Sequence, residues 1–179
     1  MESTAVQKIA KVLNILVLIT FICNLIALFL VPGVVFASPQ ARTHQLFHVS
    51  PRYFLLAWTG VWGDAYLAVL TLFLLFSGVC TAVILRQARR VLNTILRGEP
   101  FSMENALSLN RAAACAFLIA AAALARVVFS VCWYRSAAPL ATYNALFVPL
   151  FAMFGLLCLV MSALFRQAAE LKAENDLTI

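Results

Sequence analysis

Charge is scarce in this 179-residue chain. Asp, Glu, Lys and Arg make up 11% of it, with only 7 acids and 2 histidines. Soluble domains carry about 25% charged residues. A chain that is 64% hydrophobic has too little polar surface for water, and a bilayer is its natural solvent. The same shortage excludes the common catalytic constellations. HExxH, GxSxG and a phosphate-cradling glycine loop are all missing, and no pair of acids shares one membrane face. The expectation is therefore no enzyme, no catalytic residue and no cofactor. Cysteine is equally uninformative: Cys23, Cys80, Cys115, Cys132 and Cys158 all lie in or beside apolar segments, and none forms a CxxC pair. Zinc sites and disulfide frameworks need clustered sulfurs, so these read as packing residues. His44 and His48 are four apart, but no acid or cysteine accompanies them and Pro51 follows. They read as loop histidines, and no metal site is expected.

What is present is apolar length. About 20 apolar residues span the hydrocarbon as a helix, and four such stretches occur, at 12–31, 61–85, 112–134 and 142–165. They predict an all-α polytopic membrane protein, a single domain over 1–179 with four transmembrane helices in a bundle. An outer loop covers 32–60, a connector 86–111 and a tail 166–179. Pro32-Gly33 should end the first helix. Lys8 and Lys11 before that run, with Val35-Phe36-Ala37 ahead of Ser38, imitate a secretory signal peptide. The run exceeds the roughly 7–15 residues of a signal core, which points to a retained helix. Pro149 should loosen the fourth span near its outer end.

Two independent signals orient the spans. With both termini inside, Lys8, Lys11, Arg86, Arg89, Arg90, Arg97, Arg111, Arg166 and Lys172 fall inside, and Arg42, Arg52 and Arg135 outside. This is the positive-inside bias. It also accounts for the net charge of +6 without direct nucleic-acid binding. Trp58, Trp62, Trp133, Tyr53, Tyr134 and Tyr143 all lie near the opposite boundary, as an aromatic belt requires.

The connector holds the most specific local pattern. Val91, Leu92, Ile95 and Leu96 continue the second helix past the membrane, and Gly98 and Pro100 stop it. Ser102 is a candidate N-cap for a third helix, with Glu104 in its first turn. That helix carries two four-residue alanine ladders, Ala112/Ala116/Ala120 and Ala121/Ala125, suited to close backbone approach. Ser77, Gly78, Thr81 and Ala82 form a similar strip on the second span. Arg126 is the one basic residue well inside a span, and Asp64 is its nearest acid on the outer half. An intramembrane ion pair between them, or Arg126 snorkelling to the headgroups, is the expectation. Glu170, Glu174 and Asp176 in the tail either dock on Arg86, Arg89, Arg90 and Arg97 across the inside face or form a solvated tail, and the sequence favours neither.

The run Gly98-Glu99-Pro100-Phe101-Ser102-Met103-Glu104-Asn105, a membrane span, and the ending Leu171-Lys172-Ala173-Glu174-Asn175-Asp176-Leu177-Thr178-Ile179 resemble the bacterial membrane proteins catalogued as domain of unknown function 2975. The resemblance extends over the whole length. It implies a multi-pass protein of the bacterial cytoplasmic (inner) membrane, with no established activity to carry over, acting as a partner of a cytosolic helix-turn-helix transcription regulator. Gly98, Pro100, Phe101, Glu104 and Asn105 in the connector, and Glu174, Asp176, Leu177 and Ile179 in the tail, are the implied contact residues. A small transporter or channel using Arg126 and Asp64, alone or as a homo-oligomer, is the alternative.

Overall fold

The computed structural model describes residues 5–37 and 51–176. Among them every element is helical. The order is α1 (Ala5–Ala37), α2 (Pro51–Gly60), a 3-10 turn (Val61–Gly63), α3 (Ala65–Leu96), α4 (Met103–Tyr134), a second 3-10 turn (Ala138–Ala141) and α5 (Tyr143–Asp176). Four of these helices are long and apolar enough to cross a membrane. With no water to satisfy exposed backbone in hydrocarbon, a helix is the local answer to each apolar run. Hydroxyls inside the spans follow the same rule: Thr20 donates to the Leu16 carbonyl at 2.9 Å and Thr81 to that of Ser77 at 2.8 Å.

Two boundaries differ from expectation. Pro32-Gly33 does not end α1, which continues to Ala37 with Pro32 buried. A proline forfeits one intrahelical bond but keeps a helical φ, and breaking the helix there would free several more backbone groups. The outer connection is thereby shortened, and its last part folds as α2 and a 3-10 turn that buries Val61. The second span accordingly begins at Ala65, not near Val61. α5 runs unbroken past Pro149. His44, His48 and Arg42 lie outside the described residues.

The long helices pack as chain neighbours. Close backbone approaches join α1 to α3, α3 to α4 and α4 to α5, and no others link these four helices. The bundle thus has three closed seams, with α4 central to two of them. Ala112, Ala113, Ala116, Ala120 and Ala123 are buried on α4, and Cys158 of α5 packs on the first two with Ile84 and Phe117. The first alanine ladder is therefore an interhelical surface. The second is not: Ala121 and Ala125 are exposed, because each sits about 100° around the helix from a buried neighbour. Gly155 meets Phe117 so closely that an added Cβ would lie 3.0 Å from its ring. Gly78, on the α3 strip, receives Leu28 of α1.

Arg86, Arg111 and Arg166 are exposed on three different helices. From that level α3, α4 and α5 project roughly 12–15 Å further, at about 1.5 Å per residue. Ala5, the connector and Asp176 all lie at this connector end. α2 and the two 3-10 turns form the opposite, loop end.

Candidate functional site

Two places hold polar chemistry, one at each end of the bundle. At the connector end, α3 closes with Gly98 at φ +83°. The Gly98 N–H donates to the Ile95 carbonyl at 3.1 Å and the Glu99 N–H to that of Thr94 at 3.0 Å. This pair of bonds is the Schellman stop, whose left-handed position favours glycine. α4 then starts on Ser102, whose Oγ accepts from the Asn105 N–H at 3.4 Å. Between the two helices sits the Asn105 side chain, fully buried. Its Nδ2 donates to the Pro100 carbonyl at 2.7 Å, and its Oδ1 lies 2.7 Å from Thr94 Oγ1. Thr94 Oγ1 is also 2.7 Å from the Val91 carbonyl, so its single proton serves one acceptor at a time.

α5 braces the same turn. Ser162 Oγ donates to the Ala106 carbonyl at 2.7 Å, and Phe165 stands 5.7 Å from the Phe101 ring. The result is a fixed turn that presents Phe101, Met103 and Leu107 to the outside. Glu104 is exposed beside them, and Pro100 is half-buried. Asn105 is the exception among the connector residues expected to touch a partner. It holds the turn from within and reaches no surface.

The tail continues α5, and its Glu170 turns to its own helix and not to the α3 arginines. Glu170 pairs with Arg166 one helical turn back, at 3.0 Å, and α5 has no close approach to α3. An i,i+4 pair on one helix satisfies the carboxylate with little chain ordering. Glu174 is exposed on α5. Asp176 closes that helix, and Leu177 and Ile179 lie outside the described residues.

At the loop end, the expected Asp64–Arg126 ion pair does not form. Asp64 caps α3, accepting from the Tyr66 N–H at 2.8 Å and the Leu67 N–H at 3.2 Å. A carboxylate before an apolar helix start is a recognised capping signal. Arg126 instead lies only 6% exposed between α3 and α4, its Cζ 4.6 Å from the centre of the Phe73 ring. It is about 22 Å along α4 from Arg111, short of the far side of a hydrocarbon core about 30 Å thick. The ring covers a face of the guanidinium but offers no lone pair. The buried Nε has no hydrogen-bond partner among the described residues. An intramembrane arginine costs about 2.5–3.5 kcal/mol on insertion scales, which sets this residue apart from the packing around it.

Arg126 separates two cavities. On the loop side is a chamber of about 430 Å³ lined by Tyr66, Ser130, Tyr134 and Thr142 among others. Tyr66 and Tyr134 meet there edge to face at 5.5 Å. On the other side is a groove of about 260 Å³ lined from all four spans, by Leu28, Phe73, Ile119 and Phe147 among others. Arg126 is the one lining residue they share. Asn24 Oδ1 and Ser77 Oγ, on the groove wall, also lack hydrogen-bond partners among the described residues.

A family model described as "Protein of unknown function (DUF2975)" matches residues 55–179, which is most of the chain. The protein belongs to this family. The match begins at Leu55, so α1 stands outside it, although the resemblance was expected to run the whole length. No curated protein and no solved structure matches the chain. Within this DUF2975 protein, the connector turn and the loop-side chamber fall inside the matched residues, whereas the groove takes part of its wall from α1, outside them.

Proposed function

We propose that this protein is a multi-pass component of the bacterial cytoplasmic membrane, with its connector end inside, serving as the membrane partner of a cytosolic helix-turn-helix regulator. One observation carries the proposal. Phe101, Met103 and Leu107 are exposed about 6–15 Å beyond the arginine level, by helical rise, where water and not lipid is the neighbour. Apolar side chains held there on a braced turn suit a protein contact. The exposed Arg86, Arg97 and Arg111 favour an acidic rim on the partner. The regulator itself comes from the family resemblance. A transporter or channel reading retains Arg126, but its acidic partner is occupied by the start of α3.

The test is co-purification of the solubilised protein with the product of an adjacent regulator gene. Phe101→Ala combined with Met103→Ala should weaken capture at least about tenfold, as loss of a central anchor does. Undiminished capture by that variant, with Arg86, Arg97 and Arg111 reversed in charge and the last nine residues removed, would sink the proposed surface.

A further inference from the structure

We propose that Arg126 is the anion receptor of an intramembrane site for a phospholipid, whose phosphodiester sits in the loop-side chamber and whose acyl chain lies in the groove. Three observations converge on it. Arg126 is nine-tenths buried and lines both cavities, and its buried Nε has no hydrogen-bond partner among the described residues. Its contact is the face of Phe73, which leaves the N–H edge directed donors of an arginine available, the geometry that phosphate oxygens match. The chamber beside it supplies hydroxyls from Tyr66, Ser130 and Tyr134 as further donors.

The groove explains why the ligand is a lipid and not a free anion. Its walls are mainly apolar, from Leu28, Leu74, Ile119, Phe147 and Phe151. α1 and α5 both line it yet have no close approach to each other, so the fourth seam of the bundle opens laterally toward the bilayer. A free phosphate would have no use for that opening. A two-part ligand, anionic at one end and apolar at the other, uses both cavities and meets at the one residue they share. Asn24 Oδ1 and Ser77 Oγ, unpartnered along the groove, fall within reach of a glycerol backbone or ester only if the chain enters deeply, and the proposal does not depend on them.

The experiment uses the full protein in a neutral detergent. Thermal unfolding is followed while short-chain phosphatidylglycerol, short-chain diacylglycerol or inorganic phosphate is added. Phosphatidylglycerol should raise the midpoint in a saturable way, and the other two should not. Arg126→Gln should raise the apparent Kd at least about tenfold, as expected for losing a charge-assisted contact, and Arg126→Lys should keep part of it. Ala27→Trp, which fills the groove from an exposed position on α1, should abolish the shift with the guanidinium intact. If Arg126→Gln does not fold, Ala27→Trp alone decides. Equal shifts with inorganic phosphate or with diacylglycerol would overturn the proposal. So would a phosphatidylglycerol response that survives either Ala27→Trp or Arg126→Gln. Because none of these readouts involves the connector, failure here leaves the proposed regulator contact standing, and the reverse holds.

Discussion

At the scale of single residues, this protein reserves its few polar side chains for places where backbone changes direction or a charge stands alone. Asn105 is the clearest instance. Its amide satisfies Pro100 on one side and Thr94 on the other, with no water available because it is fully buried. Asn105→Ala removes both contacts and leaves a buried carbonyl unpaired, a change of roughly 1–3 kcal/mol. The expected outcome is a lower unfolding midpoint in detergent, with Thr94→Val partly non-additive to it in a double-mutant cycle. Gly98, Pro100 and Ser102 were legible as stop and start signals from their types alone. Asn105 was legible only as part of a family pattern, since nothing in its spacing reveals that it turns inward to face Thr94. Asp64 carried a readable signal that pointed elsewhere: an acid directly before Ala-Tyr-Leu is a helix cap, and the cap outcompetes a distant guanidinium because its two N–H donors lie two and three residues away.

Individual elements were more visible than their contacts. The four apolar runs give four long helices because hydrocarbon leaves the backbone no other local solution. Their ends moved where that rule outweighed local breakers, as at Pro32. Which face of each helix packs is set by partners that sequence periodicity does not name, and so the Ala112/Ala116/Ala120 ladder is buried while Ala121 and Ala125 are not. The α4–α5 seam depends on Gly155. A Cβ there would stand 3.0–3.2 Å from three atoms of the Phe117 ring. Gly155→Leu should overpack the seam by roughly 1–3 kcal/mol and lower the unfolding midpoint. Phe117→Ala in the same chain should recover part of that loss. If Gly155→Leu is neutral and Phe117→Ala only adds damage, the seam is not as tight as the distances say.

For the whole molecule, the distribution of charge and aromatic residues speaks about the membrane, while the fold itself speaks about which ends lie together. Ala5, the connector and Asp176 share one end, and Trp62, Trp133 and the Tyr66–Tyr134 pair share the other. In the proposed topology the positive-inside bias puts the connector end in the cytoplasm. With the native cysteines replaced, a single cysteine at Glu99 should react with an impermeant thiol reagent only after cells are opened. One at Ser136 should react in intact cells, and the reverse pattern would invert the topology and remove the regulator from reach. The cavities at Arg126 were not legible at this scale. A lone arginine in a span announces that something unusual is nearby, but a chamber and a groove arise from how three seams close and a fourth does not.

That unequal closure bears on how the protein is made. α4 is held on both sides, while α1 rests on α3 alone among the spans and precedes the residues that define the family. The α3–α4 hairpin, tied by its short connector, and α5 behind it form a unit with its own alanine-lined interior. α1 is then a side panel, made before α3 yet able to seat against the Gly78 strip only once α3 exists to receive it.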